Sequence, residues 1–146
     1  MGHPMKILVA TDGSKHALRA VEYAAKFVRL LRSASDPITL ISVHDDVGLR
    51  SAKSFVGSAK VADYLREMSE KELKPARKRL DAAGVKHNMV IRTGHVAQEI
   101  VACANDGKFD LIVMGSKGRS AIADLILGSV AQRVLATAKQ PVILVK

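Results

Sequence analysis

Short apolar runs alternate with amphipathic helical patterns along the chain, and this alternation restricts the possible folds most. Five runs, most of them rich in β-branched residues, are predicted to be strands: 7–10, 38–43, 88–92, 111–114 and 142–145. Nearly continuous apolar runs of this length are typical of strands that are buried on both faces, as in a parallel sheet.

Helices are predicted between these strands. Apolar residues recur with i, i+3 and i+4 spacing in four segments: 17–31, 61–80, 96–104 and 130–138. Pro75 lies inside the second segment, where we expect the helix to bend or divide. The strict alternation of strand and helix favours right-handed βαβ units and a three-layer α/β sandwich.

The composition is typical of one globular domain, which we assign to residues 5–146. The chain has 146 residues, of which 48% are hydrophobic and 25% are charged. Residues 1–4 are interpreted as an N-terminal extension or a cloning remnant, because Met5 opens the first apolar run. No apolar stretch approaches the roughly 18 residues of a membrane helix and no signal peptide is visible, so we expect a cytoplasmic protein without a membrane partner.

The formal net charge of +9 raises the question of nucleic-acid binding. The longest basic run is 77–79, however, and acidic residues are interleaved through the same helix. Aromatic residues make up 3% of the chain and tryptophan is absent, so a surface for stacking bases is hard to build. We therefore interpret the charge as solvated helix faces and disfavour a nucleic-acid partner.

Two loops that follow predicted strands are candidate ligand sites, because open parallel sheets bind ligands beyond the carboxyl ends of their strands. One loop is 11–14 and the other is 115–129. Ser129 is predicted to be the N-cap of the last helix, and Gln132 is predicted to complete a capping box. A turn followed by a cap would explain each half of the second loop, but glycines at both of its ends favour a phosphate-binding loop.

The motif Gly115-x2-Gly118-x9-Gly128-Ser129 resembles the nucleotide-binding signature of the ATP-binding branch of universal stress proteins. The segments 6–14, 94–100, 110–116 and 141–145 are also similar to that family, so the resemblance spans residues 5–146. It implies a Rossmann-like fold, similar to the adenine nucleotide alpha hydrolases, with five parallel strands in the order 3-2-1-4-5.

The resemblance also implies a set of nucleotide-binding residues at the ends of the first, second and fourth strands and at the start of the last helix. They are Ala10, Thr11, Asp12, Val43, Met114, Gly115, Ser116, Gly118, Gly128, Ser129 and Val130. In the family, the first-strand residues lie against adenine and ribose, and the residue at Val43 contacts the base. The residues at Met114 and Gly115 lie beside the ribose, and those from Gly118 onward hold the phosphates.

Lys117 and Arg119 occupy variable positions of the loop. Two interpretations are open for them: cations that bind the phosphates, or solvated side chains. Val96 stands where many relatives have proline, and we expect it to affect the start of its helix and not the pocket.

The resemblance implies ATP as the ligand, with AMP and cyclic AMP as alternatives, and Mg²⁺ or Mn²⁺ bound through the phosphates. The loop lacks the lysine that precedes the hydroxyl residue of a Walker A motif, and neither a Walker B acid nor a water-positioning residue is evident. We therefore assign no catalytic residue and expect slow hydrolysis or none. The predicted function is nucleotide-dependent regulation in a stress response. A weak ATPase or autokinase and a nucleotide-free adaptor are the alternatives.

The remaining candidate features are given structural interpretations. The cluster 44–46, a histidine followed by two aspartates, is interpreted as the solvated start of a long functional loop over 45–58, and not as a metal site. Cys103 lies on an apolar helix face and is predicted to be a buried, inert thiol. Ser14 is predicted to cap the first helix.

The last strand is very apolar for a sheet edge, and the resemblance implies a homodimer formed through residues 141–145.

Overall fold

All five predicted strands are present in one parallel sheet. The computed structural model describes residues 4–31, 37–45, 57–118 and 126–146. The strands are β1 (Ile7–Ala10), β2 (Ile38–His44), β3 (His87–Thr93), β4 (Leu111–Gly115) and β5 (Val142–Val145). They are ordered β3-β2-β1-β4-β5, and every pairing is parallel. The predicted strand order and fold class are therefore confirmed.

The four predicted helices also form. They are α1 (Lys15–Leu30), α2 (Ser58–Ala82), α3 (Val96–Asp106) and α4 (Ser129–Thr137). Pro75 lies inside α2, which is one continuous helix of 25 residues, so Pro75 does not divide it. Leu73, Ala76 and Leu80 are fully buried on both sides of Pro75, and this packing holds the helix together across the missing backbone N–H.

The hydrophobic core consists of two layers, one on each face of the sheet. Val9 and Leu40 belong to the layer that α1 and α2 cover, whereas Leu8 and Ile112 belong to the layer that α3 and α4 cover. Successive residues of the central strands are thus buried on opposite faces, and this is why their sequences are almost continuously apolar.

The strand order brings the two candidate loops together. β1 pairs directly with β4, with Ile7 opposite Leu111 and Val9 opposite Val113, so the loops that follow these strands leave the sheet side by side. β2 pairs with β1 on its other side and brings its own carboxyl end to the same edge. The strand order reverses between β1 and β4. In sheets of this kind, ligands bind beyond the carboxyl ends of the strands at such a point.

Gly115 allows α1 to pack closely against the end of β4. A Cβ atom at position 115 would lie 2.9 Å from the backbone carbonyl carbon of His16, which is closer than real Cβ atoms approach. A larger residue at this position would therefore push the first turn of α1 away from the sheet.

The described part of the chain contains no helix with both the length and the hydropathy needed to cross a membrane.

Candidate functional site

A cavity of about 430 Å³ lies at the carboxyl edge of the sheet, where the loops after β1 and β4 meet. Ten of the eleven predicted nucleotide-binding residues line it: Ala10, Thr11, Asp12, Val43, Met114, Gly115, Gly118, Gly128, Ser129 and Val130. Its volume falls within the range of about 300–1,000 Å³ that is typical of small-molecule sites.

Ser116 is the predicted residue that does not line the cavity. Its backbone N–H donates to the Val145 carbonyl at 2.9 Å, and its own carbonyl accepts a hydrogen bond from the Gly128 N–H at 2.7 Å. The side chain is buried, and its hydroxyl has no hydrogen-bond partner among the described residues. Ser116 therefore joins the two ends of the loop and fixes them to β5.

Six further residues line the cavity outside the predicted set: Ala17, Ile41, Val96, Ile100, Lys117 and Ala131. Ile41 and Ile100 are almost fully buried, so in the sequence they are indistinguishable from other core residues. Val96, which we expected to affect only the start of its helix, lies on the cavity wall, so that expectation is wrong. Val96 is the first residue of α3 and also lines the cavity, so it belongs to the helix start and to the cavity wall at once.

The loops after β1 and β4 come close to each other at Asp12 and Gly118. A Cβ atom at position 118 would lie 3.1 Å from Asp12 Oδ2, which is tighter than most real contacts. The other carboxylate oxygen, Oδ1, accepts a hydrogen bond from the Ser14 N–H at 2.9 Å. The Asp12 side chain is thus oriented by its own turn, with Oδ2 toward the glycine loop.

The start of α4 differs from the sequence prediction. Gly128 is the N-cap, with φ −71° and ψ 159°, and Ser129 is the first helical residue, so the predicted Ser129 cap is wrong. The first helical bond runs from the Gln132 N–H to the Gly128 carbonyl at 2.9 Å. The side-chain amide of Gln132 donates to the Leu127 carbonyl at 3.5 Å, so the predicted capping box does not form.

Position 128 becomes the N-cap because its own N–H is bonded to Ser116. This bond holds the Gly128 backbone extended. The Gly128 carbonyl therefore accepts the first hydrogen bond of the helix, and the N-cap lies one residue earlier than the sequence predicts. Glycine has no side chain that could cap the helix, and no other described side chain does so. The first N–H groups of α4, with the positive end of the helix dipole, are left for solvent or a ligand at the cavity wall.

The cavity has two chemically different parts. Most of its lining is apolar, and two charged side chains, Asp12 and Lys117, stand among the described lining residues. Lys117 lies where the glycine loop meets the start of α4, whereas Asp12 follows β1 and has its carboxylate near Gly118. Such a cavity can accept a flat apolar ring at one end and an anionic group at the other. No cluster of three or more metal-ligating side chains occurs in the described ranges.

His44 lies inside β2 and not at the solvated start of a loop, so that interpretation is wrong. Its side chain is 11% exposed, and its Nε2 atom lies 2.6 Å from Ser69 Oγ and 3.8 Å from Glu72 Oε2. The Ser42 hydroxyl also contacts Glu72 Oε2, at 3.4 Å. These groups lie between β2 and α2, whereas Val43, between Ser42 and His44, lines the cavity on the other face. β2 extends one residue beyond its predicted end, and this brings His44 into the sheet.

The thiol of Cys103 is buried on α3, as predicted. Desolvation by burial raises its pKa, so the nucleophilic thiolate is disfavoured at neutral pH. Most of the predicted 45–58 loop and the loop residues Arg119 and Ser120 lie outside the described residues.

Comparison with known proteins gives one consistent family. The model of the universal stress protein family matches residues 4–146. The chain is 35% identical over 141 residues to universal stress protein MJ0531 of Methanocaldococcus jannaschii, which covers 97% of this chain and 81% of that protein. It is 32% identical over 141 residues to a universal stress protein of Thermus aquaticus, which covers 96% and 97% of the two chains.

Solved structures agree with this assignment. Protein MJ0577 of Methanocaldococcus jannaschii has a TM-score of 0.84 with this chain at 30% identity, and the alignment covers 99% of this chain and 97% of that one. A universal stress protein solved in complex with cAMP has a TM-score of 0.73 at 27% identity, with 99% of both chains covered.

Proposed function

The chain belongs to the universal stress protein family, and from this premise we propose that it is a regulatory protein that binds ATP in the cavity at the carboxyl edge of the sheet. One observation carries the proposal. The end of β1 and both glycine ends of the 115–129 segment line a single cavity, beside a helix N-terminus that no described side chain caps.

The apolar part of the cavity suits adenine and ribose. Val43 and Ile41 offer branched side chains that could pack against a flat ring, and Met114 adds an adaptable thioether. Asp12 offers a carboxylate that could accept a hydrogen bond from a ribose hydroxyl or the adenine amino group. The family neighbour solved with cAMP supports an adenine nucleotide as the ligand class.

The glycine end of the cavity suits phosphates. Gly118 and Gly128 let phosphate oxygens approach the backbone, and Ser129 could donate both its N–H and its hydroxyl. The dipole of α4 would favour a negative charge at this point. A divalent cation would be held mainly by the phosphates, since Mg²⁺ keeps several waters and takes few protein ligands.

We expect ATP to be held rather than turned over quickly. Asp12 is the one carboxylate among the described lining residues, and the Ser14 N–H already engages its Oδ1 atom. Residue 128, directly before Ser129, is glycine and not the lysine of a Walker A motif. The proposed role is therefore a nucleotide-dependent switch in which ATP selects one conformation by its higher affinity for it.

We further propose that residues 5–146 act as one cytoplasmic domain and form a homodimer through β5. Among the described strands, β5 pairs only with β4, and its four residues are partly exposed. An apolar edge strand of this kind favours pairing with a second copy. Light scattering should give twice the mass of the chain, and a monomer at micromolar concentration would contradict this part of the proposal.

Titration calorimetry with ATP, ADP, AMP and cyclic AMP, each with and without Mg²⁺, tests the proposed ligand. We expect saturable binding of ATP at one site per chain. Absence of binding by all four nucleotides at near-millimolar concentration would contradict the proposal. A parallel assay of phosphate release separates binding from turnover, because fast release that is lost in the Ser129→Ala variant would favour the ATPase alternative.

A further inference from the structure

Lys117 is the one cation among the described residues that line the cavity. We propose that Lys117 makes the cavity selective for nucleotides with more than one phosphate, ATP and ADP, over AMP and cyclic AMP. This selectivity rests on the proposed function, because it names the nucleotide class that the same cavity binds best.

The position of Lys117 assigns it to the phosphate end of the cavity. A Cβ atom at Gly128 would lie 3.4 Å from the Lys117 Cα atom, so the lysine backbone packs directly against the N-cap of α4. At Gly118, the next residue, an added Cβ atom would lie 3.1 Å from Asp12 Oδ2. The apolar residues expected to surround adenine, such as Val43, instead lie at the end of β2.

The charge environment leaves the ammonium group of Lys117 available to an anion. Among the described residues Lys117 makes no ion pair and no side-chain hydrogen bond, and it is only partly exposed. The Lys117 backbone also packs beside the positive end of the α4 dipole, so two sources of positive potential start from the same part of the cavity, with the Asp12 carboxylate near Gly118 as the one negative group among the described lining residues. A polyanion would be attracted by both at once.

The reach of the lysine side chain explains why the effect should depend on the number of phosphates. The first phosphate would be held close to the ribose by the backbone N–H groups of the loop and of α4. The flexible four-carbon stem of a lysine can carry its charge farther than these backbone groups. The second and third phosphates would therefore be its partners, and AMP and cyclic AMP lack them.

The test compares Lys117→Gln with Lys139→Gln. Lys139 is exposed and lies just before β5, near the amino ends of the strands and away from the cavity, so its variant removes the same charge from a remote site. Calorimetry at constant ionic strength should show that Lys117→Gln weakens ATP and ADP binding by about tenfold, as expected for the loss of a charge-assisted hydrogen bond. AMP binding should change by less than about twofold, and Lys117→Arg should retain most of the affinity for ATP. Lys139→Gln should bind all nucleotides like the unmodified chain.

Two results would overturn the assignment while leaving the proposed function intact. One is ATP binding to Lys117→Gln at full affinity, which would mean that the lysine is solvated. The other is an equal loss of ATP and AMP affinity, which would mean that Lys117 only shapes the loop. If the unmodified chain binds none of the four nucleotides, the proposed function itself fails, and the selectivity fails with it.

Discussion

The helices α1 and α4 both begin at the wall of the cavity, but their first turns are completed in different ways. Ser14 caps α1, and its hydroxyl accepts a hydrogen bond from the Ala17 N–H at 3.2 Å. Gly128 caps α4 and brings no side chain to its first turn. Neither helix has an acidic residue in its first turn. A side chain of the protein thus satisfies one of the first N–H groups of α1, whereas no described side chain does so for α4.

α2 and α3 also begin without a side-chain cap, so the missing cap alone does not mark a ligand site. What distinguishes α4 from α1 at this cavity is that its uncapped first turn begins at a glycine that lines the cavity. The first N–H groups of any helix need partners, and a serine cap supplies one from within the chain. Where the cap is a glycine that also lines a cavity, water or a ligand in the cavity can take that place. The contrast between Ser14 and Gly128 therefore predicts separable effects on stability and on ligand binding.

The largest expected effect comes from filling the space beside the open helix. Gly118→Val should reduce ATP affinity by at least about a hundredfold, equivalent to about 2.7 kcal/mol. Its Cβ would lie 3.1 Å from Asp12 Oδ2, and the two methyl groups would extend into the phosphate end of the cavity. Gly118→Ala should give an intermediate loss, and both can be measured by calorimetry.

The control for Gly118→Val is a measurement showing that the variant is folded. Its far-UV circular dichroism should match that of the unmodified chain, because position 118 lies in a loop and not in a core layer. Full ATP affinity in a folded Gly118→Val variant would show that the phosphates do not lie at the glycine loop.

The second prediction concerns the helix start that the protein satisfies itself. Ser14→Ala should lower the free energy of unfolding by about 1 kcal/mol, because the Ala17 N–H loses its partner. In thermal unfolding this corresponds to a decrease of about 3 °C. ATP affinity should change little, since Ser14 does not line the cavity.

Ser58→Ala provides a matched control, because Ser58 is the first residue of α2 and makes no capping bond. It should change the free energy of unfolding by less than about 0.5 kcal/mol. If the two serine variants are equally stable, the cap at Ser14 contributes nothing, and the contrast between α1 and α4 loses its basis.

The two helix starts also show what sequence patterns can and cannot predict. Local statistics favour serine as an N-cap at both Ser14 and Ser129, yet only Ser14 is one. The hydrogen bond from the Gly128 N–H to the Ser116 carbonyl joins residues that are twelve positions apart, and no local pattern contains it. The sequence therefore predicts that a helix starts here, but not which residue caps it.

The same limit applies to the walls of the cavity. The strands follow from apolar periodicity, and the family resemblance carried by the glycine motif implies their order and most of the loop residues at the cavity. Ile41 and Ile100 as cavity residues follow from neither, because a buried residue beside a cavity and a buried residue in the core have the same sequence signal. His44 was missed for a related reason, since its partners Ser69 and Glu72 come from α2, far along the chain.

The smallest expected effect comes from converting the open helix start into a closed one. Gly128→Ser would place a hydroxyl where it can cap the first turn of α4, and φ of −71° at this position suits a serine without strain. The free energy of unfolding should rise by a few tenths of a kcal/mol in the absence of ligand. ATP affinity should fall by about threefold, because the hydroxyl competes with a phosphate for the same N–H groups.

The control for Gly128→Ser is Gly128→Ala, which adds the same Cβ atom without a hydroxyl. That Cβ would lie 3.4 Å from the Lys117 Cα atom and from the Ser116 carbonyl oxygen, at the edge of ordinary contact, so steric effects should be similar in both variants. Only the serine variant should combine higher stability with weaker ATP binding. If alanine weakens ATP binding as much as serine does, the loss is steric, and competition for the open N–H groups of α4 is not the reason for it.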